Sequence, residues 1–450
     1  MKQFNKLLLT SFFLIPFQLF ADDLKKDVLS MRERANVRNA ILKDRFESVL
    51  PNIMRRNNID MWLIIAREYN EDPVIRTMLP ATWLNARRRT VLVVFDPGNN
   101  KPLETYAVAR YAVGEVFKKA WDPEVQPDQY KALAEIIKQK NPKKIGINKS
   151  EFFAQADGLS STEYDLLNKA LPRKYQKRIV SATNIAVGWL ETRSAKEMEI
   201  YPEICRIAHD IIKEGFSSNV ITPGVTTTDD IVWWYRERIR ELNFVTWFHP
   251  SVSIQRGDKQ NFDFLESFSN AKPESTVLPG DLLHVDFGIT YLSLNTDTQQ
   301  HSYVLMPGEN TVPNELTKAL AIGNRLQDIL TNQFKTGRTG NEMLLSALEQ
   351  AKSEGINPQI YTHPIGYYGH GSGPTIGMWD KQEGVPVNGD YPLYPNTAYS
   401  IELNAKVFIK SWGKEVAIQL EEDAFFDGEN CEYIDPRQTE MIIIDWETDK

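Results

Sequence analysis

Two acidic residues near a predicted hairpin are the first residues of this 450-residue sequence whose type and spacing could support chemistry. Asp286 follows the apolar segment 282–285, and Asp297 lies eleven positions later, after a turn. A buried carboxylate is costly unless it is paired or binds a metal. The two strands of a hairpin could bring both carboxylates to one point. Taken alone, however, two Asp residues near a hairpin are more often turn or edge residues.

A glycine-rich segment around His370 is the second chemical feature. Four glycines surround this histidine within residues 366–373. Glycine lets the backbone approach a site closely, and imidazole is a common metal ligand. By itself, a flexible loop with an incidental His is the commoner reading. A phosphate-binding loop is disfavoured, because no Lys-Ser or Lys-Thr follows.

Two glutamates complete the pattern. Glu402 and Glu421 each end an apolar, strand-like run, where simple alternation would explain either one as a solvated residue. Together with the two Asp and the His, they match the ligands of two divalent cations, since four negative charges balance two dications. Two metals about 3.5–4 Å apart can share a water, deprotonate it and polarise a carbonyl oxygen. The five residues therefore predict a dinuclear metal site.

The elements that must position these residues fall into two regions. In the first, helical patterns alternate with apolar strands, which predicts an α/β domain. The predicted helices are 27–56, 130–138 and 164–170, and the predicted strands are 61–65, 90–95 and 144–147. The second region opens with a predicted helix at 198–216 and continues with a second helix, capped near Thr226, and with strands. We place the boundary near 180–192 and predict domains 22–190 and 191–450.

The order and spacing of the candidate ligands resemble those of the pita-bread metallopeptidase superfamily. Its members include methionine aminopeptidase, aminopeptidase P and prolidase, and creatinase shares the fold. The resemblance covers residues 193–444, and the first region is similar in place and length to the N-terminal domain of the creatinase and prolidase branch. It implies an α/β N-terminal creatinase-like domain plus an α+β pita-bread catalytic domain.

The same resemblance implies a role for each candidate residue. Asp286 would bind one metal, His370 and Glu402 the other, and Asp297 and Glu421 would bridge the two. Glu402 would also take a proton from the attacking water as the catalytic residue. The cofactors would be two divalent metal ions, with Mn, Co and Zn all compatible. A homodimer is implied only by the likeness to prolidase.

The sequence also departs from the family pattern. The family's peptidases keep a histidine shortly before the first Asp ligand, but segment 264–272 contains none. A second lies seven residues after the ligand histidine, which from His370 falls on Gly377. The usual Glu-Pro-Gly is Glu-Leu-Asn at 402–404, and Gln419 replaces an Arg. Specificity for a Xaa-Pro bond therefore stays open.

The remaining histidines have weaker signals. His284 shares a strand face with Asp286. It could therefore contact a metal ligand, or it could be an ordinary hydrogen-bonded core residue, and the two roles are equally supported. The other four are His209, His249, His301 and His363. His249 and His363 could supply the missing donors from other elements, and His301 shares strand parity with Asp297, but a residue without a catalytic role is the simpler interpretation of each.

Composition and the N-terminus set the cellular context. With 52 Lys and Arg against 60 Asp and Glu, the net charge is −8. This acidic balance does not indicate binding to nucleic acid, which typically requires an excess of basic residues. Lys2 and Lys6 precede an apolar run at 7–20, which predicts a signal peptide cut after Ala21 and therefore export. No other run has membrane-spanning length. Cys205 and Cys431 are far apart and could pair or lie buried as small apolar residues.

Three functions follow as hypotheses. The first is an exported metallopeptidase that acts on short peptides, with Pro near the cleaved bond. The second keeps the metals but cleaves a non-peptide C–N bond, as the creatinase resemblance allows. The third is a non-catalytic binding module with a degenerate site.

Overall fold

The structure is a computed structural model that describes residues 24–26, 28–258 and 275–447. The predicted signal peptide, 1–21, and the segment 264–272 that lacks the family histidine lie outside the described residues.

The N-terminal domain is a mixed sheet with helices against it. Its strand order is β4-β3-β2-β1-β5-β6, with β1 antiparallel to β2 and parallel to β5. The central strand β1 is apolar and buried on both faces, as expected for a strand covered by helices on both sides. The elements are α1 Met31–Ser48, α2 Leu50–Arg56, β1 Met61–Arg67, α3 Pro73–Arg76, β2 Arg89–Phe95, β3 Glu104–Val108, β4 Lys118–Lys119, α4 Gln129–Lys140, β5 Ile145–Ile147, a 3₁₀ turn Ala154–Ala156, α5 Ser161–Ala170, α6 Arg173–Gln176, β6 Ile179–Ser181 and α7 Thr183–Glu191.

The predicted helices and strands of this domain are confirmed, with one difference. The helix expected at 27–56 is divided into α1 and α2 at Val49. Pro51 lies in the first turn of α2, and a proline cannot donate the hydrogen bond that a continuous helix requires. The chain therefore ends one helix and starts another at this point.

In its described residues, the C-terminal region consists of β-sheets packed against four long helices. Its sheets have the strand orders β19-β11-β8-β7, β12-β15-β16 and β13-β14-β17-β18, beside the small pair β10-β9. The elements are α8 Ala195–Gly215, α9 Thr228–Glu241, β7 Ser251–Gln255, β8 Leu282–Phe287, β9 Thr290–Tyr291, β10 Leu294–Asn295, β11 Thr298–Val304, α10 Asn314–Thr331, α11 Gly340–Ser353, β12 Asn357–Ile360, β13 His363–Ile365, β14 Thr397–Ser400, β15 Leu403–Ile409, β16 Lys414–Leu420, β17 Asp423–Phe426, β18 Cys431–Tyr433 and β19 Ile442–Ile444.

The helices cover the outer faces of these sheets with apolar stripes. One core joins α8 and α9 to β8, through residues such as Ile204, Ile231 and Leu283. Another joins α10 and α11 to β15 and β16, through residues such as Leu320 and Ile418. The inner faces are left for polar residues. This arrangement confirms the predicted fold, in which an α/β N-terminal domain is followed along the chain by a pita-bread domain.

A buried ion-pair network connects the two domains. Glu197, in the first turn of α8, accepts hydrogen bonds from Arg45 of α1 at 2.5 Å and from Arg193 at 3.1 Å. All three side chains are almost fully buried. Burial opposes ionisation of Glu197, but Arg193 and Arg45 outweigh it and hold the pKa of this carboxyl below its ordinary value. The network therefore fixes α1 against the start of the C-terminal domain.

Two further expectations concern the cysteines and the membrane. Cys205 and Cys431 are both free thiols, the first buried and the second partly buried. Within 24–26, 28–258 and 275–447, no helix combines the length and the hydropathy that crossing a bilayer requires.

Candidate metal centre

The candidate metal centre lies where the three main sheets of the catalytic domain meet. Asp297 directly precedes β11, His363 begins β13, Glu402 follows β14 and Glu421 follows β16. Backbone hydrogen bonds hold these ends together. Gln299 N donates to the carbonyl oxygen of Glu421 at 2.9 Å, and Glu421 N donates to that of Gln299 at 3.3 Å. Tyr361 N donates to the carbonyl oxygen of Glu402 at 3.1 Å. The site is thus built on paired strands, which position side chains more rigidly than loops do.

His363 lies at the centre of the acidic residues. Its Nε2 is 3.5 Å from Asp297 Oδ2, 3.5 Å from Glu421 Oε1 and 3.9 Å from Glu402 Oε2. Among the described residues, Asp297, His363 and Glu421 are the group whose ligand atoms lie close enough together, within 4.8 Å, to hold one ion. The structure thus brings Asp297, Glu402 and Glu421 together around His363.

Asp286 lies at the edge of the same cluster. It is on β8, directly opposite Gln299 of β11 in the antiparallel register. Its charge contributes to raising the pKa of both Asp297 and Glu402. The predicted hairpin thus brings the two aspartates to one place.

The acids of the cluster are buried close together, and His363 is the basic group next to them. Burial, and then the neighbouring Glu421, raise the pKa of Asp297 and of Glu402 well above their ordinary values. Burial would lower the pKa of His363, but Glu421 and Glu402 outweigh it and raise this pKa to about 9. In the described part of the chain, no Lys or Arg forms an ion pair with Asp297, Glu402 or Glu421.

Divalent cations fit this donor set. Carboxylate oxygens and an imidazole nitrogen are ligands of Mn, Co and Zn. Several buried carboxylates without Lys or Arg favour a bound cation, because isolated buried charges are strongly unfavourable. The residues present therefore suit the metals that the sequence predicts.

The two histidines of the glycine-rich region differ in their distance from this cluster. His363 is 9 % exposed and contacts three carboxylates, whereas His370 is exposed. The two rings are near each other, with centroids 4.7 Å apart, and Trp247 packs on the other side of His370 at 5.1 Å. Metal binding by His370 stays a prediction, and His363 is the histidine that the carboxylates surround.

Sequence reasoning named His363 as a possible donor but favoured a strand-end residue without a catalytic role, although a signal for a ligand was present. His370 lies seven residues after His363, which is the spacing that the family shows between its ligand histidine and a second histidine near the substrate. With His363 as the reference, Gly377 no longer marks a missing group.

The other departures and histidines take structural places. Gln419 is fully buried, opposite Asn404 in the ladder of β15 and β16. His301 Nε2 accepts a hydrogen bond from Gln419 N at 3.1 Å, and burial lowers the pKa of His301 to about 4. His249 contacts Arg236 at 3.0 Å. The structural interpretation of His301 and His249 is consistent with these contacts.

His209 supports the strand end that carries Glu421. Its Nε2 lies 2.7 Å from Glu422 Oε2, and its Nδ1 lies 2.6 Å from Asp435 Oδ2. Burial opposes the charge on His209, but Glu422 and Asp435 outweigh it and raise its pKa to about 10. The charged imidazolium thereby connects α8 to the chain next to the centre.

This shift predicts a pH-dependent contribution to stability. Because the folded-state pKa lies above the unfolded value of about 6.5, the contribution is complete below that pH and disappears as pH rises to about 10. We expect His209→Gln to lower the free energy of unfolding by about 3–5 kcal/mol at pH 6. Urea unfolding from pH 6 to 10 should show this difference shrinking. His301→Gln is the control. Because burial lowers the folded-state pKa of His301 to about 4, below the unfolded value of about 6.5, its difference should grow slightly from pH 6 to 8 and stay constant from pH 8 to 10, where that of His209→Gln continues to shrink.

Comparisons with known proteins agree with this geometry. Residues 199–426, more than half of the 450-residue chain, match the model of metallopeptidase family M24. The chain belongs to metallopeptidase family M24. It is accordingly a metal-dependent hydrolase. No curated protein matches the chain.

Solved structures of low sequence identity share the fold of this M24 member. X-Pro aminopeptidase from Thermotoga maritima MSB8 is 17% identical, with a TM-score of 0.61, over 87% of this chain and 100% of that one. Xaa-Pro dipeptidase from Bacillus anthracis is 17% identical, with a TM-score of 0.56, over 92% and 100%. Prolidase from Pyrococcus furiosus is 14% identical, with a TM-score of 0.53, over 86% and 99%. At these identities the likeness shows the fold alone.

Proposed function

We propose that the chain is an exported, dinuclear metal-dependent peptidase that cleaves short peptides next to Pro. The observation that carries this proposal is the convergence of Asp297, Glu402 and Glu421 on the buried His363, with no Lys or Arg of the described residues paired to those acids. The solved aminopeptidase, dipeptidase and prolidase with the same fold support the substrate class.

We assign His363, in place of His370, as the histidine ligand. Asp286, Asp297, Glu402 and Glu421 would supply the carboxylates, as the sequence predicts. When bound, two divalent ions would supply an activated water and polarise the attacked carbonyl.

The other groups act on the water and the substrate. Glu402 would accept the proton of the attacking water, a role suited to a carboxylate whose pKa is raised above its ordinary value by burial and by Glu421. His370, exposed and packed on Trp247, is placed to contact the peptide at the mouth of the site. His370 lies seven residues after His363, where the family's peptidases keep a histidine near the substrate. This favours a peptidase over a hydrolase of non-peptide C–N bonds.

A panel of substrates tests this function. Protein recovered outside the cytoplasm, which should begin at Asp22 if export and cleavage occur as proposed, is treated with chelator and reloaded with Mn, Co or Zn. We expect cleavage of Xaa-Pro peptides to exceed cleavage of matched Xaa-Ala peptides at least about tenfold, because one fitted pocket contact is worth 1–3 kcal/mol. Chelator should abolish cleavage, and metal should restore it.

Several outcomes would contradict the proposal. Cleavage that chelator leaves intact would remove the metal from the reaction. Metal-loaded protein that cleaves a non-peptide amidine or amide and none of the peptides would favour the creatinase-like alternative. Protein that binds less than one metal per chain would favour a non-catalytic binding module.

A further inference from the structure

A buried glutamine connects two of the proposed metal ligands. Gln299 Nε2 lies 2.7 Å from Glu402 Oε1 and 2.6 Å from Glu421 Oε2, and its side chain is fully buried. An amide nitrogen carries two hydrogens, and these two carboxylates accept both. The opposite oxygens, Glu402 Oε2 and Glu421 Oε1, are the ones that face His363. Gln299 thus contacts the oxygen of each carboxylate that does not face His363, while Glu421 Oε1, which does, also accepts a hydrogen bond from Ser400 Oγ at 2.6 Å.

His284 determines which way the amide of Gln299 points. Gln299 Oε1 lies 2.9 Å from His284 Nε2. Because the amide oxygen can only accept, His284 must donate from Nε2, and in the neutral imidazole Nδ1 is then an acceptor. Ser253 Oγ lies 3.4 Å from that Nδ1 and can donate to it. The hydrogen bonds therefore run in one direction, from Ser253 through His284 and Gln299 to Glu402 and Glu421.

The backbone of Gln299 is equally well fixed. It pairs with Asp286 in the ladder of β8 and β11, and it forms an isolated bridge with Glu421. It thus lies between three of the proposed ligand-bearing segments. Such a position suits a residue that orients neighbouring carboxylates, because packing and hydrogen bonds determine both its backbone position and the direction of its side chain.

We infer that Gln299 is a positioning residue that orients Glu402 and Glu421 for metal binding, and that His284 fixes the direction of its amide. This inference rests on the proposed function. A neutral amide suits the task, because a Lys at this place would supply the counter-charge that the cation supplies, and a Glu would repel both carboxylates. Groups that orient metal ligands typically contribute 10–100-fold to metal affinity.

The neighbouring residue gives a matched control. Gln300 is also buried, and its Nε2 donates to Glu422 Oε1 at 3.0 Å. As the next residue along β11, it faces the opposite side of the strand. Substitutions at Gln299 and Gln300 therefore remove the same side chain from the same strand, but only the first removes contacts to proposed ligands.

The experiment compares Mn²⁺ binding to metal-free wild-type, Gln299→Leu and Gln300→Leu protein by isothermal titration calorimetry. We expect the Kd of Gln299→Leu to rise about 10–100-fold and that of Gln300→Leu to stay within about threefold. The absorption spectrum of bound Co²⁺ should change for Gln299→Leu alone, because its ligands reorient. Gln299→Met, which keeps an unbranched side chain, provides the same comparison if the Leu variant does not fold.

A double-mutant cycle tests the direction of the relay. His284→Phe should weaken Mn²⁺ binding in wild-type protein but have no further effect in Gln299→Leu, because His284 acts through the amide. Additive losses would overturn the role of His284. Unchanged affinity of Gln299→Leu, beside a wild type that binds metal, would overturn the role of Gln299 and leave the proposed function standing. A wild type that binds no metal would overturn both.

Discussion

Replacing His363 by Ala should abolish metal binding at the centre, whereas replacing His370 by Ala should leave the metals bound. His363 is buried and has Nε2 within 3.9 Å of oxygens from Asp297, Glu402 and Glu421. His370 is exposed and contacts the ring of His363 and Trp247. Removing a ligand should cost more than the 10–100-fold typical of ligand-orienting groups, so we expect metal affinity of His363→Ala to fall at least about 100-fold.

The two variants should also differ in their kinetics. For His363→Ala, the rate at ordinary metal concentrations should fall with the metal content. For His370→Ala, we expect wild-type metal content with kcat lower by about 100-fold, the scale of a group that transfers or holds a proton. Metal analysis after dialysis, together with kcat and KM on one peptide, separates these cases. If His370→Ala loses the metal and His363→Ala keeps it, the ligand assigned from the sequence is right and ours is wrong.

Replacing Glu197 by Ala should cause a large loss of stability. Its carboxylate accepts hydrogen bonds from two guanidinium groups, those of Arg45 and Arg193, and also from Ser194 N at 2.7 Å. Without it, two buried cations would lie close together with no acid between them. Breaking a buried pair in this way costs about 3–5 kcal/mol. In a domain of this size, we expect the Tm to fall by roughly 6–20 °C.

An exposed pair on the same helix is the control for this substitution. Glu203 and Arg206 of α8 pair at 2.5 Å, but both side chains are partly exposed to solvent. Exposed pairs contribute about 0–1 kcal/mol, so Glu203→Ala should change the Tm by only a few degrees at most. Calorimetry of the metal-free forms measures both. Similar Tm values for the Glu197→Ala and Glu203→Ala variants would contradict the importance of the buried network.

Much of the site could be predicted because several of its acidic residues directly follow apolar runs that the sequence marks as strands. The apolar run before Asp286, the turn, and Asp297 eleven residues later indicated a hairpin, and β8 and β11 form it. Charge balance then related Glu402 and Glu421 to the same place. The helix α8 followed from its apolar periodicity, and in the structure it begins three residues before the predicted start, at Ala195, after the capping residue Ser194. These features are local, and local physics predicts them.

The histidine assignment shows where local patterns are insufficient. Glycines around His370 suggested a fixed ligand, while His363 followed by Pro364 resembled an ordinary strand start. Burial decides between the two, and burial depends on how β13 packs against β14. Only the spacing of seven residues between the histidines was available in the sequence to correct the choice.

The roles of Gln299 and His209 depend on contacts between distant parts of the chain. Gln299 contacts acids 103 and 122 residues away, and His209 contacts acids 213 and 226 residues away. Glutamine has no charge that would draw attention in a sequence, and His209 lies on a regular amphipathic helix. Such residues are recognised only when the tertiary structure shows what they contact.

Anomalous diffraction from crystals of the protein loaded with Mn²⁺ tests the central claim most directly. The account predicts two anomalous peaks about 3.5–4 Å apart, between the carboxylates of Asp286, Asp297, Glu402 and Glu421, with one peak about 2.0–2.2 Å from His363 Nε2. Peaks next to His370 with His363 uncoordinated, or no peak among these carboxylates, would contradict it.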